Sequence, residues 1–259
     1  MTDQISIDVK QASYLHHVGR GSELHGGFES RVIKAAVYGA NDGIITTFAV
    51  VVAVAGAGLS PSIILILGIA NLIADGLAMG LGDYLGERSE QRYKKHQYDI
   101  EKWEVQNISA EEAKELEEYF LVRGVNEPDV SQLCTTIQKY PKLWAELGFL
   151  DELGESPQIV KNLWHSGLAT FVAFIAAGAL PLLPYVLHAV GLPIPITEEL
   201  YLSIISTGCA LFLIGSLRTI VTKGAWWRNG MEMLAIGALA AGGAYISGMI
   251  IKTILPSMP

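Results

Sequence analysis

Apolar runs broken by few or no charges recur five times along the chain, near 33–57, 62–86, 163–189, 199–221 and 231–252. Each is long enough to cross a hydrocarbon core of about 30 Å, which takes about 20 helical residues. The pattern predicts an all-α, five-span transmembrane protein. The first run has Asp42 as its only charge after Lys34, and Asn162 to Thr197 contains no Asp, Glu, Lys or Arg. Between the second and third runs the pattern turns polar. After Gly86 the stretch ERSEQRYKKHQYDIEKWEVQ holds neither Gly nor Pro, so span two is expected to continue as one helix from about 62 to 106. A second helix should start at Ser109, where Ser-Ala-Glu-Glu reads as a capping box with Glu112 at N3, and end near Gly124. A third is expected from about Glu127 to Lys139 with Pro128 in its first turn, and a fourth over about 141–153 before Gly154. The expected organisation is a polar tail (1–30), spans one and two (31–86), a small acidic cytoplasmic helical domain (87–161) and spans three to five (162–259).

Composition agrees with this pattern. Of 259 residues, 51% are hydrophobic and 17% charged, against about 25% charged in a soluble domain. Mean hydropathy is +0.36. Lysine and arginine set the orientation. The N-terminal stretch, the 87–161 segment and the loop after span four hold 17 of the 18 basic residues, so the N-terminus is expected in the cytoplasm and the C-terminus on the other side. A prokaryotic plasma membrane and a vacuolar membrane fit equally. Residues 1–30 lack the apolar core of a removable signal peptide. Cys134 and Cys209 are expected to be reduced and unpaired. The net charge is −8, and residues 87–161 carry 16 acidic against 10 basic side chains, which leaves no basic surface for nucleic acid.

Within span two a polar or soft side chain stands at every fourth position: Asn71, Asp75, Met79, Asp83 and Glu87. Neighbours in this series lie about 40° apart around a helix, so Asp75, Met79 and Asp83 share a face. A carboxylate inside a bilayer costs roughly 2.5–3.5 kcal/mol on insertion scales and normally lines a polar path or finds a partner. Carboxylates with a thioether suit a divalent transition metal, and the stripe suggests a cation pathway with Asp42 held against it. Asp83 and Glu87 stand at its cytoplasmic entrance. The structural alternatives are interhelical hydrogen bonds for Asp75 and Asp83, and core filling for Met79. Asn41 and Asn71 either orient these carboxylates or bond between helices. Thr46 and Thr47 should bond back to their own helix. Glu232 reads as an interfacial charge, Pro181 and Pro184 as kinks in span three, and Trp164, Trp226 and Trp227 as interfacial anchors. Gly76, Gly80, Gly82 and Gly86 suit tight helix packing. In the insert, Glu101 and Glu104 share a helix face, as do Glu112, Glu115 and Glu118, and Asp151 and Glu152 end the fourth helix. These carboxylates either bind divalent metal or form a solvated acidic face. His96 and the His16–His17 pair carry little.

YGANDGIITTFAVVVAVAGA (38–57), ANLIADGLAMGLGDYLGERSE (70–90), GLATFVAFIAAGALPLLPYVL (167–187) and GMEMLAIGALAAGGAYISG (230–248) resemble, in order, spans of the vacuolar iron transporter family. The resemblance covers roughly 30–252. It implies a five-span homodimer with a metal path between the two copies of spans one and two. It also implies export of Fe²⁺, and of Mn²⁺ in many members, from the cytosol in exchange for protons. The family's translocation residues fall on Asp42 and Met79, and its cytoplasmic metal-binding acids on Glu101, Glu104, Glu112, Glu115 and the Asp151–Glu152 pair. The family pattern has methionines just before that pair, where this chain has Leu147, Gly148 and Phe149.

The expected function is a proton-coupled antiporter exporting Fe²⁺, with Mn²⁺ and other divalent transition metals as further candidates. It is not an enzyme and carries no cofactor. Its partners are divalent metal ions, protons and membrane lipid, with no nucleic acid. Proton coupling suits a carboxylate that must lose its proton before it binds metal. A membrane-anchored iron-binding or storage protein and a sensory membrane dimer are the alternatives.

Overall fold

A computed structural model describes residues 28–157, 162–219 and 224–254. His16 and His17 lie outside them. Among the described residues every regular element is a helix. Helix α1 (Phe28–Ala57) ends at Gly58, whose positive φ of 70° an L side chain rarely adopts. Helix α2 (Pro61–Asn107) opens on proline, which has no N–H to leave unpaired in a first turn. It continues unbroken through the Gly- and Pro-free stretch. Then come α3 (Ser109–Val122), α4 (Glu127–Ile137) and α5 (Pro141–Leu153), which Gly154 closes in the left-handed conformation. Span three is interrupted where prolines were expected to kink it. Helix α6 (Trp164–Gly178) gives way to a 3₁₀ turn (Leu180–Leu182) and then α7 (Leu183–Ala189). Helices α8 (Ile196–Leu217) and α9 (Trp226–Ile254) complete the chain. Among the described residues five helical segments are long and apolar enough to cross a membrane: Arg31–Ala57, Pro61–Asn107, Trp164–Ala189, Glu198–Leu217 and Trp226–Ile254.

The chain divides into two compact units, 84–163 and the remainder. In the unit holding the spans, glycine brings backbones together. A Cβ on Gly39 or Gly43 would collide with the carbonyls of Thr170 and Phe174, so α1 lies directly on α6. Gly56 and Gly248 bring α1 and α9 together in the same way. Gly76 and Gly80 seat α2 on Phe171 of α6, and Gly215, Gly230 and Gly237 join α8 to α9. Small residues serve this purpose because lipid gives helices no hydrophobic drive to associate, and close van der Waals contact must replace it. Phe48, Val51, Val52, Ile64, Leu72, Phe174 and Leu182 form one apolar core, and Ile44, Ala177, Ala210, Leu211 and Met233 another.

In the 84–163 unit, Val105 of α2, Leu116 of α3, Val130, Cys134 and Ile137 of α4, and Trp144 and Ala145 of α5 make the core. Phe149 is fully buried, with the Tyr98 ring edge-on at 5.9 Å. The expected capping box does not form. The bend falls at Ile108, which is the N-cap with φ −126° and ψ 38°, so Ser109 is already inside the first turn and its side chain caps nothing. Glu112 is instead buried.

Candidate metal sites

Two groups of acidic side chains form, one in each unit. In the membrane unit, Asp42 of α1 and Asp75 of α2 are half-buried and stand close enough for their charges to act on each other. Thr46 Oγ1 donates to the Asp42 carbonyl at 2.8 Å, as expected of a helical threonine. Thr47 does not follow that expectation: its hydroxyl is fully buried and finds no partner. Its neighbour Phe48 enters the core, so the Thr47 side chain turns into the bundle instead of back along its own helix. Asn41 Oδ1 is likewise buried without a partner. Met79 is half-buried and packs against the Phe48–Leu72 core, one turn from Asp75 and one from Asp83.

Asp83 is anchored. Its Oδ2 accepts hydrogen bonds from Ser166 Oγ at 2.6 Å and Thr170 Oγ1 at 3.1 Å, both on α6. The interhelical bond thus exists at Asp83. Sequence reading missed Ser166 and Thr170, because a hydroxyl in an apolar helix ordinarily satisfies itself on its own backbone. Asn71 is half-buried. Glu232 is exposed and lies 3.7 Å from Arg218.

In the second unit, Glu101 and Glu112 are 3% and 5% exposed, unusual for carboxylates without a cation beside them. Burial first, and then the charges of Glu112, Glu152, Glu104 and Glu115, push the Glu101 carboxyl up to about 8. Burial, followed by Glu115, Glu104, Glu152 and Glu111, pushes Glu112 up to about 7. Glu152 is raised by burial and then by Glu104, Glu115 and Asp151. Each of these carboxylates therefore carries repulsion that a divalent cation would relieve. Glu112, Glu115, Asp151 and Glu152, with Leu116, Tyr119, Trp144, Leu147 and Gly148, line a cleft of about 20 Å³, room for one water-sized occupant. Gly148 is what lets Glu101 in, since a Cβ there would overlap the Glu101 carboxylate. Asp151 stands apart. Its Oδ1 pairs with Arg123 Nη2 at 3.0 Å, and Arg123 lies over the Tyr119 ring. Glu118 is exposed. Among the described residues no three His, Cys, Asp or Glu side chains converge closely enough to hold one ion without rearrangement.

The fold and these groups define a multi-pass helical membrane protein with carboxylates and a thioether inside its helical bundle. The sequence profile of the VIT family matches residues 33–249. The chain is 28% identical to vacuolar iron transporter 1 of Arabidopsis thaliana over 252 residues, 96% of each protein. It is 31% identical to the vacuolar iron transporter of Toxoplasma gondii over 210 residues, 78% of this chain and 68% of that one. With the vacuolar iron transporter of Centaurea cyanus it shares 30% over 216 residues, 82% and 85% of the two chains. The chain belongs to the VIT family.

Proposed function

We propose that this protein is a homodimeric, proton-coupled exporter of Fe²⁺ from the cytosol, able to carry Mn²⁺ and related divalent ions. One observation carries the reading: Asp42 and Asp75 are half-buried in a bundle of apolar helices within reach of each other's charge, with the Met79 thioether one turn from Asp75, in a member of a family whose relatives are named iron transporters. Asp42 and Met79 of both subunits form the central site. A thioether beside carboxylates favours Fe²⁺ and Mn²⁺ over Mg²⁺ and Ca²⁺. Asp83 and Glu87 guide the ion toward it, and Glu101, Glu104, Glu112, Glu115 and Glu152 collect it from the cytosol. Asp151 joins them only after leaving Arg123. The distribution of basic residues supports a cytoplasmic N-terminus. An exposed small-residue face on α2, with Ala70, Ala74, Ala78 and Gly82 at successive turns, supports pairing of two bundles there.

The test is flux in proteoliposomes whose outer face corresponds to the cytosol, with Fe²⁺ outside and acid inside. Wild type should take up Fe²⁺ as protons leave, and Asp42→Ala should lose at least about 2 decades of rate while remaining folded, since it removes a ligand of the transported ion. Wild-type rates in Asp42→Ala would remove the assignment. Binding without crossing would favour the storage reading.

A further inference from the structure

The mechanism above leaves one buried charge unused. Glu199, in the first turn of α8, is 1% exposed, and its Oε1 lies 2.5 Å from His188 Nδ1 on α7. Its Oε2 is buried without a hydrogen-bond partner. His188 is different: its side chain is 38% exposed. A half-exposed imidazole thus touches a sequestered carboxylate, the arrangement of a proton acceptor at a mouth and a proton carrier behind it. The titratable neighbours of Glu199 are His188 and Tyr185, both on α7.

The polar line continues inward. Ser203 and Thr207 follow Glu199 at successive turns of α8, and both are at most 1% exposed. Ser203 Oγ donates to the Pro181 carbonyl at 2.7 Å, while Thr207 Oγ1 has no partner. Four residues advance a helix about 6 Å, a gap that one bridging water can span. Thr47 of α1 is likewise fully buried. Ile44 of α1 meets Ala210 and Leu211 of α8 in one apolar cluster. The two helices run antiparallel across the bundle, so Thr47, three residues after Ile44, and Thr207, three before Ala210, lie on the same side of that contact. Each carries a buried, unpartnered hydroxyl. Asn41 Oδ1, beside Asp42, is the next unpartnered buried atom. Such atoms are costly in a bilayer unless water or a proton path uses them.

We propose that His188, Glu199, Ser203, Thr207 and Thr47 form a proton path, separate from the metal path, leading from the non-cytoplasmic end of α7 and α8 into the bundle between α8 and α1. This rests on the proton-coupled reading above. His188 takes a proton from the non-cytoplasmic side and its N–H bond breaks as an O–H bond forms on Glu199. Glu199 then releases that proton to the hydroxyl–water chain, in which each oxygen accepts one proton and passes on another. The proton passes to water at the inner end of this chain, so one proton leaves the path for each one that His188 takes up, and nothing is oxidised or reduced.

The experiment uses full-length protein in proteoliposomes with a pH-sensitive dye inside, and follows metal uptake and proton release together. Glu199→Gln keeps the shape of the side chain beside His188 but cannot carry a proton. It should lower Fe²⁺-driven proton flux at least about tenfold and flatten the dependence of uptake on internal pH, with cytosolic-side metal binding unchanged. His188→Gln and Thr207→Val should each lower proton flux by a smaller factor. A merely structural pair would alter thermal stability and leave the pH profile intact. Wild-type proton flux and pH profile in Glu199→Gln overturn the path. Should that variant not fold, wild-type behaviour in both His188→Gln and Thr207→Val overturns it. If wild type itself moves metal without protons, the coupled reading fails and takes this one with it; coupling in wild type that persists in the variants sinks this one alone.

Discussion

Glu101 keeps its place because Gly148 has no side chain. A methyl group at 148 would overlap the Glu101 carboxylate, which is the movable end of a flexible chain, so the carboxylate would swing away and the helix would survive. Gly148→Ala should therefore weaken metal binding by the insert several-fold while shifting its unfolding little, which calorimetric titration of the full-length protein with Mn²⁺ and a thermal scan would resolve. Asp83 gives a second test at this scale. Ser166→Ala removes one donor to a carboxylate in a bilayer, and hydrogen bonds to charged groups are worth about 1.5–3 kcal/mol. The expected result is a destabilisation of that order in denaturant unfolding, smaller for Thr170→Val with its longer bond. The residues legible in sequence were those that are improbable where they stand: Asp42, Asp75, Met79 and Asp83, charged or soft in apolar runs. Their partners were not legible. Ser166, Thr170 and His188 are ordinary in a membrane helix, and only tertiary packing shows what they touch. Glu199 was hidden by its position at a span boundary, where a carboxylate reads as solvated.

Helices behave less locally than their end signals suggest. Ser-Ala-Glu-Glu has the letters of a capping box, yet the chain bends one residue earlier at Ile108, because α2 runs to Asn107 and leaves a single residue for the turn. Where proline or glycine fixes the backbone the reading matched the elements: α5 begins at Pro141 and stops at Gly154, and span three breaks at its prolines. Glu101 and Glu112 give α2 and α3 a joint pH response. In the folded domain both hold their protons above the ordinary value of 4.5, to about 8 and about 7, so between those limits the unfolded chain binds fewer protons than the folded one. Stability of the metal-free insert should then fall as pH rises through that window. Scanning calorimetry from pH 5 to 8 should show its transition moving down. Adding Mn²⁺ at pH 8 should raise it, and a chelator should reverse the gain. Metal affinity should climb with pH by roughly tenfold per unit for each proton displaced. A transition that rises with pH would mean these carboxylates are not buried as described. Between helices, Gly43→Leu should abolish assembly of the bundle, read as loss of a monodisperse species, because the new side chain meets the backbone of Phe174.

For the whole molecule, five spans followed from apolar length alone, since a bilayer permits few other ways to place such runs. Which helices meet was beyond sequence reading, because small residues permit contact without naming a partner. On the proposed homodimeric reading, Gly82 distinguishes packing within one bundle from packing between two. It faces open space, so a side chain there is harmless within one chain, yet it shares a face with Asp75 and Met79. Gly82→Leu should leave a folded protein that light scattering finds as a monomer; an unchanged dimer would place the interface elsewhere. The glycine contacts of α1 also govern biosynthesis. Its glycines meet the backbones of α6 and α9, both made only after the whole acidic insert. Helix α1 must therefore wait in the membrane for α6 before Gly39 and Gly43, which flank Asp42, find the backbone they pack on. A chain cut short before α6 leaves that stretch of α1 without its partner, the kind of incompletely packed intermediate that is prone to misassembly.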